Sequence, residues 1–97
     1  MFEETAPGAG RLTGKLDMNS SGALLQTLTR RAASGPLRLD ISGIDEADSA
    51  AIALLLASQR AAQAAGHALT LEGWPKNLRS LVELYALDGL LGLSGEH

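Results

Sequence analysis

Cysteine is absent from the 97 residues, which excludes disulfide staples, thiolate metal sites and a cysteine nucleophile, and fits a reducing compartment. Aromatic residues are nearly absent, being only Phe2, Trp74 and Tyr85, so the core has to be built from Leu, Ile, Val and Ala. Histidine is scarce: His67 precedes an apolar stretch and reads as a strand-edge residue, and His97 closes the chain. A Ser-His-acid triad therefore has little to draw on. No apolar run approaches the roughly 20 residues that cross a bilayer, and Met1-Phe2-Glu3-Glu4 lacks the basic flank and apolar centre of a secretion signal. A cytoplasmic protein without membrane insertion is expected.

Concentrated positive charge is also missing. Eight Lys plus Arg stand against eleven Asp plus Glu, a net charge of −3, and apart from Arg30-Arg31 the cations are scattered. Phosphate backbones call for a basic face, so nucleic acid is not an expected partner. Neither a phosphate-binding glycine loop nor the ligand spacing of a calcium loop occurs. The acids Asp45, Glu46 and Asp48 read as a solvated turn ahead of a helix, where negative charge is favourable. No cofactor and no metal are expected.

What is present is the pattern of one α/β domain. Residues 1–10, with Pro7, Gly8 and Gly10, read as a flexible arm or a short edge strand, and residues 11–97 as the domain proper. Leu12 and Leu16 share one face of a weak strand, and Asp17 to Ser20 offer several N-caps for a helix starting near Ser20. Leu24 and Leu28, joined by Leu25, form a stripe on that helix, and Arg30 and Arg31 suit its last turn. Ser34-Gly35-Pro36 ends it.

Leu37, Leu39 and Ile41 alternate with Arg38 and Asp40 as a strand, which Ser42-Gly43 is expected to break. A turn over Ile44 to Asp48 then leads into a nearly all-apolar helix from Ser49 to Ala65, closed by Gly66. A further strand runs from His67 to Leu71, and Gly73-Trp74-Pro75 turns into a last helix over Lys76 to Leu87, with Leu78, Leu81, Val82 and Tyr85 on one face. Strand–helix alternation of this kind calls for right-handed crossovers and parallel strands.

The stretch from Leu37 to Leu56, with Asp48-Ser49-Ala50-Ala51 at the start of the helix, resembles the central signature of STAS domains. There a strand leads through a turn to Asp-Ser-Ser-Gly or Asp-Thr-Gly-Gly. The similarity extends from Arg11–Asp17 through Leu69–Gly73 to Leu81–Leu87, and the closing Leu84-Tyr85-Ala86-Leu87 resembles the ending typical of the MlaB-like members. The resemblance implies a mixed sheet of about four strands with three main helices packed mainly on one face.

It also implies a module without enzymatic activity that docks on a protein partner around the helix start, through Asp45, Glu46, Asp48, Ser49, Ala50 and Ala51. MlaB-like members bind the ATPase subunit of a phospholipid-transport ABC complex, supporting its assembly or activity at the inner face of the inner membrane. The alternative is an anti-sigma-factor antagonist switched by phosphorylation. In antagonists the second serine of Asp-Ser-Ser-Gly is the usual phosphoacceptor, and Ala50 stands there. Ser49 is the remaining candidate phosphorylation site, and a phosphate on it would face Asp45, Glu46 and Asp48 with no cation in the turn to pair with. The resemblance thus points to the ATPase partner.

Overall fold

A computed structural model describes residues 1–84. In chain order the elements are β1 (Phe2–Ala6), β2 (Ala9–Leu16), α1 (Met18–Ser34), β3 (Leu37–Ala47), α2 (Ser49–Ala64), β4 (Leu69–Glu72) and α3 (Lys76–Leu84). Tyr85 and Leu87, expected on the last helix, and His97 lie outside the described residues.

The sheet has the order β1-β2-β3-β4. β1 joins β2 antiparallel through a two-residue connection, Pro7-Gly8. Gly8 has φ +77°, a left-handed conformation that glycine adopts without a steric cost, and the ring of Pro7 presets its own φ at the turn position just ahead of it. β2, β3 and β4 run parallel. Because their order never reverses, right-handed crossovers carry α1 and α2 to the same face. That face is aliphatic: Leu12 and Leu16 of β2, Leu37, Leu39, Ile41 and Ile44 of β3, and Leu69 and Leu71 of β4 are buried. They form one cluster with Leu28 of α1, Ile52, Leu54 and Leu55 of α2, and Leu78 and Val82 of α3. The result is a mixed four-stranded sheet with a helical layer on one face.

The opposite face is polar, as the period of two requires. Arg38 and Glu72 form an ion pair across it at 3.3 Å. Asp40 accepts hydrogen bonds there from the Ser42 hydroxyl at 2.7 Å and the Ser42 amide at 2.9 Å. These bonds, the hydroxyl's first and the amide's next, hold the Asp40 carboxyl below the ordinary aspartate range, helped by the charge of Arg11 and opposed by partial desolvation.

β1 is fixed to the body at two places. The Phe2 ring lies over Gly10, where a Cβ would sit 2.8 Å from the ring, so the glycine makes room for the chain's only phenylalanine. Glu4 pairs with Arg31 of α1 at 3.0 Å. Arg31 also donates to the carbonyl oxygens of Gly35 and Pro36, bracing the connection that leads from α1 to β3.

Two sequence expectations are corrected. Helix α1 starts at Met18, earlier than Ser20, because Asp17 takes the cap: its carboxylate accepts from the amides of Asn19 and Ser20, and the Ser20 hydroxyl accepts from the Asp17 amide. The strand expected to stop at Ser42-Gly43 continues to Ala47. Glycine here accommodates a bulge. The β2 partner of Asp40 is Arg11 and that of Gly43 is Thr13, so β3 holds one extra residue, and a Cβ on Gly43 would lie 2.7 Å from the Thr13 methyl. The bulge shifts the alternation by one, which keeps both Ile41 and Ile44 facing the core.

Candidate functional site: the helix starts beside the ends of the parallel strands

The acidic segment is the end of a strand rather than a turn. A second irregularity falls between the pairs Gly14–Ile44 and Lys15–Glu46 and leaves Asp45 as the additional residue of β3. Both Asp45 and Glu46 are exposed as a consequence. Only Asp48 separates β3 from α2. Its backbone is extended, its amide donates to the Leu16 carbonyl at 3.3 Å, and its carboxylate accepts from the Ala50 amide at 2.8 Å. Asp48 is thus the N-cap of α2.

The six residues expected to meet a partner are divided by this geometry. Asp48 and Ser49 are exposed and Ala50 is half-buried. Ala51 is fully buried in the core cluster, so it has no surface to offer and drops out of the contact set. The reason is the helical period: two positions after an exposed first residue, the side chain has turned toward the sheet.

Two concavities flank the start of α2. A cleft of about 220 Å³ is lined by Lys15, Leu16, Asp17, Glu46, Ala47 and Asp48. It lies beyond the carboxyl ends of β2 and β3, with a helix cap on either side. Three carboxylates face it against one cation, and Lys15 already pairs with Asp17 at 3.8 Å. The Asp17 carboxyl is held below its ordinary value, first by the Ser20 amide, then by the Asn19 amide, the Ser20 hydroxyl and Lys15, against some desolvation. Among the described residues no group of three or more His, Cys, Asp or Glu could hold a metal ion.

The second concavity, about 370 Å³, is a groove between α1 and α2 lined by Met18, Ser21, Gly22, Leu25, Ala50, Ala53, Leu54 and Ala57. Its α1 wall was not anticipated. The sequence pattern joins Leu25 to the core stripe, yet it is 43% exposed, and Met18 is 79% exposed. The sequence did contain a signal: Met18, Gly22 and Leu25 recur at spacings of four and three, as Ala50, Ala53 and Ala57 do at three and four, giving each helix a second apolar or small-residue stripe.

A chain of this pattern matches the family described as "Mlab, STAS domain" over residues 4–92. The protein belongs to that STAS family. Its fold is also that of known structures: it is similar to the unphosphorylated anti-sigma factor antagonist SpoIIAA, with a TM-score of 0.72 at 17% identity over 92% of this chain and 82% of that one. A second similar structure, described as "Crystal Structure Analysis of Mglu", has a TM-score of 0.61 at 22% identity over 80% of this chain. The STAS domain spans about a fifth of that longer chain, 20% of its length. No curated protein sequence matches. At these identities the two structures speak for the fold alone. The segment whose sequence resembles the STAS signature forms the β3 end, the Asp48 cap and the first turn of α2.

Proposed function

We propose that this STAS domain is a non-enzymatic adaptor that binds the ATPase subunit of an Mla-type phospholipid-transport ABC transporter and supports its assembly or activity. The docking surface is the start of α2, with Asp48, Ser49 and Ala50 in contact and Asp45 and Glu46 as a charged rim. Through the transporter the protein sits at the cytoplasmic face of the inner membrane without inserting into it, and it engages no nucleic acid.

The observation that supports this reading is Ala50. In the family resemblance it holds the position of the antagonists' phosphoacceptor, and here it is a half-buried methyl on the first turn of α2, its amide tied to Asp48. A surface without a hydroxyl at that position suits constitutive docking. The carboxylates around it set register and steer encounter more than they add affinity.

The second reading is an anti-sigma-factor antagonist in a partner-switching pathway, the role given in the description of SpoIIAA, whose fold this chain shares. Ser49, exposed at the first position of α2, is the hydroxyl such a switch would use. Affinity capture from the native cells separates the two. Recovery of an ABC ATPase with its permease supports the adaptor; recovery of a serine-kinase anti-sigma factor and no ATPase overturns it.

A further inference from the structure

The groove between α1 and α2 contains two features that weaken the free domain. Ser21 is 5% exposed, and its hydroxyl, shielded from water, makes no hydrogen bond to any described group. A buried hydroxyl left unpaired is costly, whereas alanine in its place would carry no such cost. One residue on, Gly22 sits in the interior of α1 with open space where a Cβ would be. Glycine is among the poorest helix formers, and nothing in the packing of the described residues requires it there. Both residues line the groove, and both are understandable if something else fills it.

Resting on the adaptor reading above, we propose that the groove seats an amphipathic, cation-bearing helix of the ATPase subunit, with the Ser21 side chain in the groove wall turning about χ1 so that its hydroxyl hydrogen-bonds the docked segment. A helix fits the lining better than an extended strand does. A strand would bring unpaired backbone groups against Met, Leu and Ala side chains and the bare Cα of Gly22, with a single side-chain hydroxyl in the lining to receive them, whereas a helix satisfies its own backbone. From Ala50 to Ala57 the groove follows α2 for about 10 Å, or two turns, enough for apolar anchors at positions i, i+3 or i+4, and i+7.

Charge selects the occupant. The groove opens beside the acidic cleft, since Met18 follows Asp17 and Ala50 lies two residues after Asp48. Glu46 and Asp48 remain there without a cationic partner among the described residues, while Lys15 is engaged by Asp17. Lysine or arginine on the incoming helix meets this end favourably; a phosphate headgroup is repelled. The docking surface therefore extends from the start of α2 into the groove, where helix α1 supplies half of the lining residues.

The test measures binding of the purified ATPase subunit of the Mla-type transporter from the same organism to the wild type, Ser21→Ala and Ala53→Glu, alongside their melting temperatures. Ala53 is exposed, so glutamate there leaves the fold intact while placing a charge in the groove. Ala53→Glu is expected to weaken binding at least tenfold. Ser21→Ala is expected to weaken it roughly fivefold, the share of one hydrogen bond, with a melting temperature equal to or above wild type. A lowered melting temperature in Ser21→Ala would mean that the hydroxyl is paired within the domain, which overturns its assigned role. Wild-type binding undiminished in both variants overturns the groove while leaving the adaptor reading in place. Absence of wild-type binding overturns that reading and the helix docking with it. Sedimentation with phosphatidylglycerol vesicles, abolished by Ala53→Glu while ATPase binding persists, would assign the groove to lipid and overturn the proposal.

Discussion

Asp17 and Asp48 occupy equivalent positions one strand apart. Leu16 and Ala47 pair in register at the ends of β2 and β3, and the next residue in each chain segment is the aspartate that caps the following helix. The Asp48 amide even donates to the Leu16 carbonyl, tying the second cap to the end of the first strand. Parallel strands that end together thus place two capped helix starts side by side. The acidic cleft and the mouth of the groove are consequences of this pairing.

The cap and the charge of Asp48 are separable. Asp48→Ala removes the acceptor for the Ala50 amide and is expected to cost about 1 kcal/mol, read from chemical denaturation. Asp48→Ser keeps a capping oxygen and should retain most of that stability. What it loses is charge, so its binding to the partner should depend less on ionic strength than that of the wild type.

Ser49→Arg is expected to abolish partner binding while leaving the circular dichroism spectrum and a cooperative melt in place. The residue is exposed at the first position of α2, where a long side chain has room but blocks close approach. A cation near a helix N-terminus costs only about 0.3–1 kcal/mol. Loss of secondary structure in this variant would identify Ser49 as a structural element of the helix start instead.

Gly22→Ala should stabilise the domain by about 0.5–1 kcal/mol, because an interior helical glycine is replaced where a Cβ meets nothing within 4 Å. Denaturant midpoints measure it. Gly73→Ala should act in the opposite direction: Gly73 has φ +74°, and a Cβ there would lie 2.9 Å from both an Asp40 carboxylate oxygen and the Ser42 Cβ. Strain and crowding together are expected to cost about 1–3 kcal/mol.

Acid sensitivity should involve Asp40. Its carboxyl titrates below the ordinary aspartate value of 3.8 in the folded state, so the unfolded chain binds the proton first as pH falls. The stabilisation is fully present well above 3.8 and declines as the pH drops through and below that value. Asp40→Asn should therefore melt below the wild type at neutral pH, and the gap should narrow toward pH 2. A gap constant with pH would show that packing, rather than charge, is what the substitution disturbs.

Much of the architecture is written in local patterns. The alternation of Leu37, Leu39 and Ile41, the small-residue and leucine run from Ala50 to Ala57, and Gly-Pro punctuation around residues 34–36 and 73–75 each act over a few neighbours, so β3, α2 and the element order could be read directly. The signature at Asp48 and Ser49 was legible for the same reason, since a cap is a contact between residues two or three positions apart. Where a residue's meaning depends on another strand, the pattern misled. Ser42-Gly43 looked like a break because glycine usually is one, and only the Thr13 methyl on β2 shows that it is a bulge site.

By itself the sequence determined the chemistry available to this STAS domain: no thiol, little aromatic surface, acids without a basic cluster, and an alanine, Ala50, directly after Ser49 at the start of α2. The tertiary structure decided which of those groups meet solvent. It buried Ala51, exposed Met18 and Leu25, and left the Ser21 hydroxyl between two helices without a partner among the described residues. Burial and groove formation arise when faces from distant segments pack together, and each helix's own period specifies a face without naming what will cover it.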